Sequence, residues 1–193
     1  VTNYNVTTTA SLGNVLIDRI SGTAAVRLTT AYPLVVLNDL TINSGDFNAN
    51  AQNVSIGGDY FIASGTSYTT GANTTIFNGS GAQTFTVNLG GALSLNNLTI
   101  TKSAGDVLSM SGTQSAINVS GVFNLTTGTF NDNGDIITIA GNVYNSGLHT
   151  GTGKISLTNA ATTQTIDGGG TFGNLELNNT NAAVAPVSLL SNM

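Results

Sequence analysis

An apolar–x–apolar step that returns about every twenty residues limits most strictly how this chain can fold. It occurs at Val15/Ile17, Leu34/Val36, Val54/Ile56, Leu98/Ile100, Ile117/Val119, Ile137/Ile139, Ile155/Leu157 and Leu175/Leu177, and Thr74/Ile76 fills the gap with one polar member. The second residue of each pair advances by 19, 20, 20, 24, 19, 20, 18 and 20. Residues two apart on a strand share a face, so each pair reads as a short strand with two inward side chains. Such a strand cannot bury its apolar side alone. Stacking coil on coil gives every inward residue a like neighbour about 4.8 Å above and below.

A longer period contains the short one. Leu12-Gly13-Asn14-Val15-Leu16-Ile17 matches Leu95-Asn96-Asn97-Leu98-Thr99-Ile100, and both match Phe172-Gly173-Asn174-Leu175-Glu176-Leu177. Under the first shift, of 83 residues, Leu40 falls on Phe123, Ile42 on Leu125, Phe47 on Phe130, Val54 on Ile137 and Ile56 on Ile139. Gln83-Thr84-Phe85 then matches Gln164-Thr165-Ile166 after a two-residue slip.

These periods predict an all-β chain, a parallel β-solenoid in the form of a right-handed β-helix of about nine coils of about 20 residues. The whole chain, 1–193, is one solenoid with long repeats over 12–94 and 95–171 and a partial one over 172–193. Leucine-rich repeats have a similar period but need a regular Leu/Asn frame, which is missing. Propeller blades need roughly 40–50 residues each. Asn precedes the first inward position at Asn14, Asn53, Asn73, Asn97 and Asn174. It suits a corner because its side chain bonds nearby backbone and tolerates the left-handed region. Neither Val1-Thr2-Asn3 nor Leu189-Leu190-Ser191-Asn192-Met193 reads as a polar cap. The expectation is a piece of a longer array whose partners are more repeats of the same polypeptide.

Only 7% of the residues are charged, with 4 Lys+Arg against 9 Asp+Glu and a net charge of −5. A nucleic-acid surface needs a dense basic footprint, and so does docking to anionic lipid. No apolar run approaches the roughly 20 residues of a membrane span. The expectation is therefore no nucleic acid and no membrane insertion. With 0 Cys, disulfides and thiolate metal sites are both excluded.

Candidates for chemistry are few. His149 is the one histidine; under the 83-residue shift it aligns with Thr66, and it is expected in a solvated loop. Asp39 and Asp59, twenty residues apart, are expected to be neighbours on adjacent coils, the nearest approach to the paired carboxylates of a polysaccharide-cleaving β-helix. No Arg or Lys joins them; Arg19 and Arg27 serve instead to balance Asp18. Asn131-Asp132-Asn133-Gly134-Asp135 has the look of a calcium loop but lacks the downstream Glu, so it reads as a tight turn. Asn53-Val54-Ser55 and Asn97-Leu98-Thr99 fit the glycan-acceptor pattern, which a corner Asn before a Ser/Thr-rich strand also produces. The residues between the inward pairs, Leu16, Val35, Ser55, Thr75, Thr99, Asn118, Thr138, Ser156 and Glu176, are too irregular for an ice-binding row. No catalytic, cofactor or metal residue is assigned, and no cofactor is expected.

Gly81-Ala82-Gln83-Thr84-Phe85 followed by Leu95-Asn96-Asn97-Leu98-Thr99-Ile100, and Thr163-Gln164-Thr165-Ile166 followed by Phe172-Gly173-Asn174-Leu175, resemble the tandem repeats of very large surface and secreted proteins of Bacteroidetes-type bacteria. The likeness covers nearly the whole chain, and its motifs specify architecture and no ligand. It implies an extracellular, cell-surface protein, adhesin-like or cargo of the type IX secretion system. The implied partners are cell-surface components, secretion machinery or glycans. The leading expectation is a structural or adhesive rod segment without catalysis. A carbohydrate-binding or polysaccharide-cleaving β-helix is the alternative, and an ice-binding solenoid is a minor one.

Overall fold

The computed structural model describes residues 3–18, 24–114, 116–182 and 186–190. Every element among them is a strand, and each paired strand lies parallel to its partner. The chain winds as a parallel β-solenoid of about eight turns with three faces. The first face is an eight-stranded sheet from Leu34–Val36 through Val54–Ile56, Thr74–Phe77, Asn97–Thr101, Phe123–Thr127, Val143–Asn145 and Gln164–Asp167 to Val187–Leu189. The second is a seven-stranded sheet from Val15–Asp18 through Leu40–Ser44, Tyr60–Ile62, Gln83–Val87, Val107–Gly112 and Thr129–Asn131 to Leu148–Thr150. The third is split into two sheets. One holds Tyr4–Val6, Val26–Leu28, Asp46–Asn48 and Ser67–Thr69; the other holds Leu93–Leu95, Ile117–Val119, Ile136–Ile139, Lys154–Leu157 and Leu175–Leu177.

Alternation along each strand puts one set of side chains inside. Leu34, Val36, Val54, Ile56, Leu98, Ile100, Ile117, Val119, Ile137, Ile139, Ile155 and Leu157 are all buried, and Ile17 is too. Columns form because parallel pairing sets like on like, as in Ile117, Ile137 and Ile155. Aromatic rings fill the wider interior. Phe47 stacks on Tyr68 at 5.5 Å, and Tyr60 stacks on Phe85 at 5.0 Å. Some corners are so tight that only glycine fits: a Cβ on Gly141 would lie 2.0 Å from the Gly121 carbonyl oxygen.

One expected inward position faces out, and three others, in register with inward residues but on end strands, are incompletely covered. Ile76 points outward and is half-buried, while Thr75 and Phe77 point in. The coil from Val54 to Thr75 is one residue longer than the one from Leu34 to Val54, and one extra residue inverts the faces of a strand. Leu177 is 56% exposed and Leu175 half-buried, because Leu175–Leu177 is the last strand of its sheet. Val15 is half-buried on the first strand of its sheet.

The coil count is close to the expected nine, at about eight. The nine pairs do not form one column. Val15/Ile17 lies on the seven-stranded face, the pairs from Leu34 to Ile100 on the eight-stranded face, and those from Ile117 onward on the split face. The two steps of 19 therefore cross only two of three faces. True coils run from 18 residues (Ile137 to Ile155) to 25 (Leu98 to Phe123), or 26 past a bulge.

The same geometry governs the long repeat. Leu12, Leu95 and Phe172 begin the matching segments, yet Leu12 bridges to the eight-stranded face while Leu95 lies on the split face. Ile17, Ile100 and Leu177 lie on the seven-stranded, eight-stranded and split faces in turn. Val15–Asp18 matches Asn97–Thr101, Leu40–Ser44 matches Phe123–Thr127, and Val54–Ile56 matches Ile136–Ile139, each eleven strands further along the chain. An advance of eleven strands on a three-faced rod is three coils and two faces, so each long repeat is turned by one face from the last.

Candidate functional site: the polar corners

The residue just before a strand carries a recurrent Asx side chain. At six of these corners its Oδ1 accepts the backbone N–H of the equivalent residue one coil on. Asn14 accepts from Asp39 at 3.1 Å, Asp39 from Asp59 at 2.8 Å, and Asp59 from Thr84 at 2.7 Å. On the neighbouring face Asn53 accepts from Thr74 at 2.9 Å, Asn97 from Val122 at 2.8 Å and Asn142 from Thr165 at 2.9 Å. Three of the five corner asparagines picked from sequence thus do one job, bonding the next coil's backbone rather than each other. Asn174 donates to the Gly153 carbonyl. Asn73 is buried and donates to the Gln52 carbonyl and the Tyr68 hydroxyl. Asp39 and Asp59 are indeed neighbours, and both take part in this ladder.

A second corner buries a glutamine. Gln83, 2% exposed, donates Nε2 to the carbonyls of Ile56 and Gly58. Its Oε1 accepts from Lys102 Nζ at 2.6 Å and from the Gly79 N–H at 3.2 Å. Lys102 is itself 2% exposed and also donates to the Gly79 carbonyl at 2.6 Å. Burial holds its amine below the usual lysine range, against the pull of Asp106 and Asp59. The second repeat copies the arrangement. Gln164 donates to the Ile139 and Gly141 carbonyls and accepts from Asn179 Nδ2 at 2.9 Å. Only the repeated Gln-Thr-apolar motif advertised this corner in the sequence; nothing marked Lys102.

His149 is not a solvated loop residue. It is 1% exposed, with Nε2 2.9 Å from Asp132 Oδ2, and both side chains are enclosed. Its ring stacks on Phe130 at 5.8 Å and meets Phe172 edge-on at 6.4 Å. Asp132 Oδ1 accepts the N–H groups of Gly134 and Gly153, each at 2.9 Å. The segment around it is the expected tight turn: the Asp132 carbonyl accepts the Asp135 N–H, with Asn133 and Gly134 at positive φ. Burial lowers the His149 pKa while the Asp132 contact opposes the shift. Burial and the Asp132 charge raise Asp135, and its bond from Gln114 opposes them. Neither Asp132 nor His149 can touch a substrate in this arrangement. Among the described residues, no group of three or more His, Cys, Asp or Glu gathers to hold a metal.

Asp18 is held by Asn43 and Ser44, which lower its pKa, while Arg27 bonds Asn50; Arg19 lies outside the described residues. On the outside, the residues weighed as an ice-binding row are scattered. Leu16 lies on the seven-stranded face, Val35, Ser55 and Thr99 on the eight-stranded face, and Asn118, Thr138, Ser156 and Glu176 on the split face, with Thr75 inside. Ser156 is covered by its bond to Glu176, which Lys154 also engages at 2.8 Å. Two hollows stand out. One, of about 410 Å³, opens at the first coil among Val6, Leu12, Val15, Leu28, Leu34 and Phe47. The other, of about 360 Å³, lies where the split face breaks, beside Thr70, Gly71, Ser94 and Asn96. The fold defines the class, a three-faced parallel β-solenoid. Comparison with family models, with curated proteins and with solved structures finds no match.

Proposed function

We propose that this chain is a structural rod segment of a large extracellular bacterial surface protein, adhesin-like and without catalysis of its own. The observation that supports this most directly is the use made of its polar groups. The surface Asx corners, and inside the rod the two glutamines, Lys102 and the His149–Asp132 pair, are bonded to neighbouring coils or turns, so these groups serve cohesion along its axis. Bonds directed from coil to coil suit a segment that transmits length and load between other parts of a protein. The partners are further coils of the same polypeptide, which would continue the parallel sheets at their open edges.

The test uses the full-length protein on intact cells of its source. Immunogold labelling with an antibody to this segment should decorate the surface, and shaving with an external protease should remove the label. Deleting whole coils should shorten the projecting rod by about 4.8 Å per coil. Label seen only after permeabilisation overturns the proposal. So does hydrolysis of a polysaccharide by the purified segment.

A further inference from the structure

The Lys102–Gln83 corner holds more than a hydrogen bond. An amine and a carboxamide carbonyl lie together, both 2% exposed. Nζ is 2.6 Å from Oε1. Because a C=O bond is about 1.23 Å long, Nζ can be no farther than about 3.8 Å from Cδ, close to the separation of a near-attack arrangement, about 3–3.5 Å. The carbonyl oxygen also receives the Gly79 N–H at 3.2 Å, a backbone donor placed where negative charge grows when a nucleophile adds to Cδ. The amide nitrogen is held by the Ile56 and Gly58 carbonyls. Every part of the group is fixed by backbone.

We infer that Lys102 and Gln83 join in an intramolecular isopeptide bond. In its uncharged form the Lys102 amine adds through Nζ to Cδ of Gln83. The oxygen takes up the electron pair of the C=O bond beside the Gly79 N–H. One proton passes from Nζ to Nε2, the Cδ–Nε2 bond breaks, the carbonyl re-forms, and ammonia leaves. Nothing is oxidised or reduced and no co-reactant is needed. Desolvation favours the uncharged, nucleophilic amine, and escape of ammonia makes the exchange one-way. The product links the strand Gln83–Val87 to the turn after Asn97–Thr101 and so staples one coil to the next. The second repeat cannot follow, since Asn179 offers Gln164 a carboxamide nitrogen, which is not a nucleophile. One cross-link per chain is the consequence.

Intact-mass spectrometry of the purified native chain, after prolonged incubation, decides the matter. The mass should fall below the sequence mass by one ammonia, about 17 Da, and trypsin should fail to cleave after Lys102. Fragment spectra should place the loss within a ring closed between Gln83 and Lys102 in the single tryptic peptide 28–154. Cyclisation of an asparagine to a succinimide also loses ammonia, but mild base reverses it and it leaves Lys102 cleavable. The variant K102R should show its own full sequence mass. A native chain at full mass overturns the inference. So does a loss that mild base reverses, or one that persists in K102R. Because the first measurement is made on the unaltered protein, misfolding of the variant cannot obscure it.

Discussion

His149 occupies the place that Tyr68 fills in the first long repeat. Phe47 pairs with Tyr68 across one sheet and Phe130 with His149 across another, and both pairs stack. The match needs a shift of 81 residues, so the two-residue slip falls before this point and not after it. Placing the slip late aligned His149 with Thr66 and made a core ring look like a loop residue. The nature of the ring then sets a pH dependence. Burial lowers the His149 pKa from its usual 6.5. Below pH 6.5 the unfolded chain takes up a proton that the folded chain resists. The contribution is therefore complete above 6.5 and drains away as pH falls through that value toward the lower folded pKa. Asp135, raised by burial, acts in the opposite sense nearer the carboxylate range. Urea midpoints should fall between about pH 7 and pH 5.5. His149→Gln, which keeps a donor for Asp132, should flatten that slope. A wild-type midpoint constant across this window would mean the ring is not held neutral.

Strands and corners were legible to different degrees. Alternation named one inward pair per coil because burial on one side writes a period of two into the sequence, but it left unnamed buried residues of the other faces such as Tyr60, Ile62, Leu108 and Met110. It failed at Ile76 since Thr-Thr-Ile-Phe offers two registers, and the coil length that chooses between them depends on the preceding corner. Phe77→Ala should cost about 3–5 kcal/mol in chemical denaturation, and Ile76→Ala much less. The opposite order would restore the register read from sequence. Corner asparagines were visible as a composition pattern, but their bond to the next coil was not, because the partner is a backbone group of no fixed identity. Asp39 and Asp59 doing the work of asparagine shows that only a side-chain acceptor is required. Asn97→Ala should thus cost about 0.5–1.5 kcal/mol, while Asn97→Asp should lie close to wild type. Equal losses in the two variants would show that the Val122 N–H bond contributes nothing.

At the scale of the whole rod, the turn of one face per long repeat was out of reach of self-comparison. An alignment reports which residues correspond, whereas the face depends on the summed lengths of all coils between them. Eleven strands per repeat on three faces brings equivalent residues back to one side only after three repeats, or eleven coils, roughly 53 Å along the axis at about 4.8 Å per coil. In a longer array, features of the repeat would therefore wind around the rod and not line one side. The same count makes a deletion informative. Removing Leu12 through Ser94 joins Ser11 to Leu95 and takes out eleven strands, three coils and two faces. Each later strand is then turned by one face, with Ile100 standing where Ile17 stands. Strands from Phe123–Thr127 onward keep their present partners, while Asn97–Thr101, Val107–Gly112 and Ile117–Val119 lose those of the coil before them. Because coils contact mainly their neighbours, stability is close to a sum of coil and interface contributions, so the shortened chain should lose stability but keep its β structure. Far-ultraviolet circular dichroism with a thermal melt reads both. A β-rich spectrum with a lowered, still cooperative transition is the expected result. A random-coil spectrum at low temperature, from a chain whose parent folds, would show that the repeats are not interchangeable modules of one rod.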